Sequence, residues 1–481
     1  MRLSTKIKGI FRVSTSNLLS LGLSMITSFI LPLFISVEEY GYWQLFVLYN
    51  SYVGFFILGF NDGVHLNYAT FDYDERLAKK FNTFKRFLLV LTCIESLLFY
   101  LILILFFKNS SKEFYMLLVV VANLIPTAIN GLFTYLNQAT MRFKYYAVGT
   151  VIDKVLFTII MIILICFGVQ DSIVYIISFT ITRYLVIGYH YFTSRLIFRT
   201  KSESFLNMKS EIVANFKNGF PLMIAVILGS SIVVGSRLLV KEKFGIASFG
   251  AFSFSIHTIV VASQFIGAVA SVFYPILKRY PANKLGNVYV TLDKSSSLLS
   301  AILLLSYYPI AIIILFLYTK YSEVLSYLMF VYPLFIFQCK SGLLITNVYK
   351  VKNRILSLII ANAIGILLHL VFVFVAYYIF KEIKSIAIAV LLSYGIWYYL
   401  FQTLIFKREG WRISSALPID MIIIIVFIFV NLFVQSIHPV IDLTYYLIGM
   451  SIFTIILVMV FLLFRNSVKS ILLDINNVLS D

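Results

Sequence analysis

Three ionisable side chains interrupt otherwise apolar stretches of this sequence: Glu95 in "LTCIESLLFYLILILF", Arg183 in "FTITRYLVIGYH" and Lys340 in "FIFQCKSGLLI". A charge held in hydrocarbon is expensive, and it marks an ion path, a substrate contact or a buried pair. Glu95 and Arg183 fall at similar depth in the first half of the chain. They either pair with one another or leave Glu95 as a carboxylate for coupling to a cation or a proton. Asp62, at the end of the second apolar stretch, is the other coupling candidate; the alternative is an interfacial acid. Lys340 has no acid at comparable depth in its own half, because Glu242 and Asp420 read as lying near interfaces. A buried ammonium without a carboxylate loses its proton or needs an anion; otherwise Lys340 snorkels or meets backbone carbonyls. Arg237, at the end of the seventh stretch, either snorkels to the interface or joins that anion site.

Polar residues recur at helical spacing around these charges. Asn17, Ser20, Ser24 and Thr27 share one face of the first apolar stretch. Ser253, His257 and Gln264 do the same in the eighth. Such stripes line a water-filled cavity or serve as polar contacts between packed helices. No G-x-x-x-x-G-K-[ST] loop, H-E-x-x-H or G-x-S-x-G motif is present, so neither nucleotide-driven nor enzymatic chemistry is expected, and no cofactor. Cys93, Cys166 and Cys339 sit inside apolar stretches without metal-ligand spacing.

The elements that must hold these residues follow from composition. Hydrophobic residues make up 61% of the 481 and charged ones 12%, with a mean hydropathy of +0.95. Soluble domains carry about 25% charged residues. The sequence predicts an all-α polytopic membrane protein, because spans without water must satisfy their backbone groups internally. About fourteen spans of about 20 residues fit, at roughly 13–36, 42–61, 87–107, 114–138, 147–168, 172–194, 218–240, 246–276, 295–318, 323–349, 355–380, 384–406, 417–437 and 443–464. Most of the 39 Lys and Arg then fall in alternate segments, such as Arg76 to Arg86, Lys350 to Arg354 and Lys407 to Arg412. That bias puts both termini in the cytoplasm. The net charge of +18 is spread over short loops, which speaks against nucleic acid as a partner. The basic start before residue 13 leads into a stretch too long for a cleaved signal, and reads as an uncleaved first span.

A repeat organises the spans. Gly41 in "EYGYWQL" and Gly250 in "SFGAFSF" lie about 210 residues apart, as do Gly131-Leu132 and Gly342-Leu343. Six spans per unit, an even number, give the two units the same orientation. The expectation is two parallel six-helix lobes around a central cleft, residues 1–200 and 201–410, plus two extra C-terminal helices in 411–481.

The stretch "EEYGYWQLFVLYNSYVGFFILGFNDGVHLNYA" (Glu38 to Ala69) resembles the second span of the Wzx-like oligosaccharide flippases. These belong to the multidrug/oligosaccharidyl-lipid/polysaccharide exporter superfamily. "FKNGFPLMIAVILGSSIVVGSRLLVKEKFGIASFGAFSFS" (Phe216 to Ser255) resembles their seventh and eighth spans, and "FYPILKRY" (Phe273 to Tyr280) the exit of the eighth. Here Ser236 precedes the arginine where relatives commonly carry Asp. The resemblance implies movement of undecaprenyl-diphosphate-linked oligosaccharide across the bacterial cytoplasmic membrane, for O-antigen, capsule or exopolysaccharide synthesis. Membrane lipid and a polysaccharide polymerase or assembly complex are the implied partners. Lys340, Arg237 and Arg183 become the diphosphate candidates, with His257, Asn17, Ser24 and Gln264 on the polar walls. The rival reading is a cation-coupled multidrug antiporter of the same architecture.

Overall fold

The computed structural model describes residues 2–69, 71–106, 111–279, 285–352, 354–411 and 416–463, without the side chains of 2–11, 14, 260–279, 350, 416–418, 461 and 463. Among the described residues the secondary structure is helical, with no strand. Eleven helices are long and apolar enough to cross a membrane, or up to 13 spans if each of two bent pairs counts as one. The expected fourteen is not reached among the described residues. The eighth expected span falls in a helix whose side chains beyond Ile259 lie outside the description. The chain divides into two compact units, residues 1–227 and 228–481.

The first unit holds α1 (Arg2–Phe34), α2 (Val37–Tyr52), α3 (Phe60–Tyr68), α4 (Glu75–Phe106), α5 (Lys112–Ala122), α6 (Leu124–Ala139), α7 (Phe143–Cys166), α8 (Ser172–Thr193), the short α9 (Arg195–Arg199) and most of α10 (Lys209–Ser231). Helices α5 and α6 run on as one span, whereas α2 and α3 meet at a 54° bend. Lipid-facing surfaces are apolar, as on α4, where Leu97, Leu101, Leu105 and Phe106 are all exposed. The core is aromatic. Trp43 stacks on Phe157 at 5.3 Å, and Phe179 sets its edge against both.

Three helices begin together at one end of this unit. Ser36, Ser111 and Asp171 cap α2, α5 and α8 by accepting from the amides of Glu39, Phe114 and Ile173. Each cap satisfies an N–H that the helix cannot. Lys112 joins the three ends, with its ammonium 2.6 Å from Glu39 and 2.7 Å from Asp171. Glu39 also accepts from the Ser172 amide at 2.8 Å. Burial works to raise the Asp171 carboxyl, but the hydrogen bonds from Lys112 and the Ile173 amide, with the Lys112 charge, hold it below its ordinary range.

At the other end of the unit, α3 meets α10 on glycine. A Cβ on Gly63 would lie 1.8 Å from the Asn215 carbonyl oxygen, and one on Gly219 would lie 1.9 Å from that of Gly59. Gly59 itself has φ +74°, a conformation that disfavours side chains. Backbones this close leave room for polar clasps at the rim. Asn67 donates to Asn215 at 2.7 Å and accepts from Asn218 at 2.7 Å. Glu211 takes Lys80 at 2.7 Å and the Tyr68 hydroxyl.

The second unit holds α11 (Val234–Arg279), broken at Gly245, then α12 (Leu285–Leu304), α13 (Tyr307–Leu317), α14 (Leu325–Val331), α15 (Leu334–Lys340), α16 (Thr346–Val351), α17 (Ile355–Phe380), α18 (Ile383–Glu409), α19 (Ala416–Ile437) and α20 (Leu443–Leu463). A π-helical turn, Ser341–Ile345, joins α15 to α16. The last two helices are integral to this unit, with α19 against α12 and α20 against α13. Phe427 sets its ring edge-on to Tyr307 at 5.1 Å, and Tyr445 donates to the Asn431 carbonyl at 3.0 Å.

The α3–α10 seam gives a direct test. Gly63→Ala should lower the thermal unfolding midpoint of the detergent-solubilised protein, at a cost of at least about 1–3 kcal/mol, since backbone cannot yield as a side chain can. Gly22→Ala, inside α1 where a Cβ meets nothing within 4 Å, should leave the midpoint unchanged or raise it, since alanine favours the helix.

Candidate functional site

Lys340 is fully buried in the second unit, and its surroundings correct the sequence expectation. It does not lack an acid. Its ammonium lies 2.9 Å from Asp293 on α12, 2.7 Å from the Ser297 hydroxyl one turn on, and against Asp420 on α19. An ammonium has three hydrogens, and each has an acceptor. Both carboxylates are as buried as the lysine. Asp293 also accepts from Tyr398 at 3.2 Å and from Gln402 at 2.6 Å, both on α18. Asp420 takes the Tyr399 hydroxyl on the same oxygen as the lysine, and its other oxygen has no partner. Lys340 therefore has no donor left for a diphosphate in this arrangement, and it is withdrawn as a substrate contact.

The expected ninth span starts at 295 and so leaves Asp293 outside it. The helix begins at Leu285, which places Asp293 two turns inside. Ser296, Ser297 and Ser300 follow it at helical spacing and are buried, and that polar face was the available signal. Asp420 looked interfacial because it opens the thirteenth apolar run. It lies one turn into α19 and is held by side chains of α15 and α18, Lys340 and Tyr399.

Two other candidates come together on α11. Arg237 donates from Nε to the Ser253 hydroxyl at 3.1 Å, and its guanidinium stands 5.3 Å from the Phe249 ring. His257, one turn beyond Ser253, feels the Arg237 charge. Gln264 continues that face by spacing, but its side chain is outside the described residues.

In the first unit, Glu95 and Arg183 do not pair, contrary to one of the two expectations. Arg183, on α8, reaches the Thr127 hydroxyl at 3.3 Å and lies 5.6 Å from the Phe179 ring. Its Nε is buried without a hydrogen-bond partner. Asp153 acts on it electrostatically, but is itself 3.8 Å from Lys154. Glu95, on α4, has one buried carboxylate oxygen without a partner. Asp62, at the start of α3, accepts from Tyr135 at 3.0 Å, and His65 stacks on the same tyrosine at 5.1 Å. On α1, Asn17 accepts from Tyr146 of α7 at 3.3 Å. Ser24 turns back to the Ser20 carbonyl at 2.9 Å, and Thr27 to that of Leu23. Part of that polar face is thus satisfied by its own helix.

Membrane-length helices with cations and acids set among them define an all-α, multi-pass membrane protein of transporter fold. The chain belongs to the polysaccharide biosynthesis protein family, whose model matches residues 7–281, more than half of its length. This agrees with the resemblance to Wzx-like flippases. Among solved structures the fold is similar to the lipid II flippase MurJ in an inward closed conformation, with a TM-score of 0.65 and 14% identity, over 96% of this chain and 100% of that one. It is also similar to an inward-facing multidrug resistance MATE family transporter of the MOP superfamily, with a TM-score of 0.62 and 14% identity, over 82% and 98%. A MOP superfamily transporter from Pyrococcus furiosus gives a TM-score of 0.57 and 11% identity, over 84% and 96%. No curated protein matches the sequence.

Removing one partner of a buried ion pair typically costs about 3–5 kcal/mol. Lys340→Met should therefore sharply reduce the yield of folded protein in membranes. Adding Asp293→Asn and Asp420→Asn to it should recover most of that yield, as measured by monodisperse protein after detergent extraction.

Proposed function

We propose that this protein is a flippase for an undecaprenyl-diphosphate-linked oligosaccharide. It carries the donor across the bacterial cytoplasmic membrane by alternating access, for assembly of a surface polysaccharide such as O-antigen, capsule or exopolysaccharide. The observation that carries the reading is Arg183. A guanidinium at span depth, with one hydroxyl contact, an unpartnered Nε and, among the described residues, no ion pair within 4 Å, suits an anionic group that arrives and leaves. The diphosphate of a lipid-linked saccharide is such a group, and guanidinium binds phosphate in a planar, bidentate fashion. Arg237, with Ser253 and His257 beside it, offers a second cationic and polar patch. The glycan would meet polar faces such as those carrying Asn17 and His257, while the prenyl tail stays in lipid. Membership in the polysaccharide biosynthesis family supports this class of substrate. In this reading both termini are cytoplasmic, and a polymerase or assembly complex receives the product.

Glu95 favours a second reading. A carboxylate at membrane depth with an unpartnered oxygen fits a cation-coupled multidrug antiporter, and one structural neighbour is a multidrug resistance transporter.

Depletion of the protein in its host separates the two. A flippase predicts that a diphosphate-linked oligosaccharide accumulates on the cytoplasmic face. Arg183→Gln should reproduce the accumulation at normal protein abundance, and Arg183→Lys should restore part of the transport. Unchanged lipid-linked saccharide together with raised sensitivity to cationic dyes would establish the antiporter instead.

A further inference from the structure

The second unit carries a pocket of about 540 Å³ where α17 and α18 meet at their basic ends. Its rim is cationic, with Arg354, Lys407 and Arg408, and its wall is apolar, with Ile360, Phe401 and Leu404. Lys352 and Arg354 share one carboxylate, Glu409, each at 2.8 Å. Among the described residues neither Lys407 nor Arg408 makes an ion pair. The rim therefore keeps a clear excess of positive charge.

Two further observations indicate what the excess charge is for. The Nη1 of Arg354 is buried and has no hydrogen-bond partner. A buried charged donor left open costs more than a neutral one, so an acceptor at this point would be bound strongly. Arg354 is also the N-cap of α17, a helix of 26 residues that receives no side-chain cap. The first-turn amides of such a helix carry its positive end, which favours anions. Ser357, in that first turn, lines the pocket. Phosphate chemistry satisfies all of these donors together. The apolar wall requires the phosphate to be joined to a hydrocarbon chain, since Ile360 and Leu404 are about half exposed along the α17–α18 seam.

We infer that this pocket binds a phosphate-bearing lipid, with the head group held by Arg354, Lys407 and Arg408 and the chain lying along Ile360, Phe401 and Leu404. The inference does not depend on the transport reading. Its basic segments are among those assigned to the cytoplasmic side, where membrane lipids are anionic. A bilayer phospholipid and a polyprenyl phosphate present the same chemistry.

The test uses the full-length protein in detergent, with lipid retention read by native mass spectrometry and stability by thermal unfolding. Dioleoyl-phosphatidylglycerol should be retained and should raise the midpoint, whereas dioleoyl-phosphatidylcholine should do neither. Lys407→Gln and Arg408→Gln, at exposed positions, should each weaken retention about fivefold, as expected for a basic side chain at a head group. Equal retention of the two phospholipids, or unchanged retention in the double variant, would overturn the proposal. So would an equal rise in midpoint with inorganic phosphate alone, which would mean that no chain is needed. Competition between phosphatidylglycerol and a polyprenyl phosphate, lost in the double variant, assigns the source, and either winner upholds the site.

Discussion

Inside a bilayer there is no water to complete a hydrogen bond, so each polar group must find its partner in the protein or bring one in. The second unit meets this requirement for Lys340, leaving over one oxygen of Asp420 in the cluster. One ammonium draws helices α12, α15 and α19 to a point, and α18 contributes the tyrosines and glutamine that finish the acids. The groups are individually unsuited to hydrocarbon and are tolerated because each lies where another needs it. Replacing a buried charge cluster with apolar side chains is often neutral or favourable. What such a cluster supplies is position, since few other arrangements of these helices would leave the charges matched.

The first unit solves the same problem with less charge. Its helix ends are closed by side-chain caps and by Lys112, which bridges Glu39 and Asp171. Where α3 meets α10, glycine lets backbones approach until little side-chain packing remains between them. Contact at that distance gains dispersion energy and is intolerant of added volume, the pattern expected when lipid, not water, surrounds the helices. Among the described residues of this unit, Arg183 Nε and one oxygen of Glu95 are the buried atoms of acidic or strongly basic side chains left without a partner, beside neutral ones such as Ser96 and Asn137.

The helical class, the positions of most spans and the family were legible because they rest on runs of apolar residues and on local motifs. Span length is set by the bilayer, so hydropathy reports it directly. Partnership is set by tertiary packing, and hydropathy does not report that. Asp293 lies just ahead of the expected ninth span, on a helix that begins at Leu285 and carries it inward, whereas Asp420 reads as interfacial at the start of its apolar run and is buried by the side chains packed over it. Depth alone likewise leaves a Glu95–Arg183 pair open as one of two readings, and it is the packing that sends Arg183 to Thr127 instead. The serine face after Asp293 was a visible sign, but it acquires meaning only once Lys340 is known to lie opposite.

The spacing of the Lys340 cluster along the chain has a consequence for biosynthesis. Asp293 precedes Lys340 by 47 residues, whereas Asp420 follows it by 80. Synthesis and insertion proceed from the N-terminus. The lysine therefore follows one of its counter-ions into the membrane, so that an acid is already at hand to neutralise the ammonium when it arrives. The second acid comes later on α19, and it docks against a pair that is already formed. The last hairpin is thus received by a finished surface, and the order in which the chain emerges protects its most costly side chain.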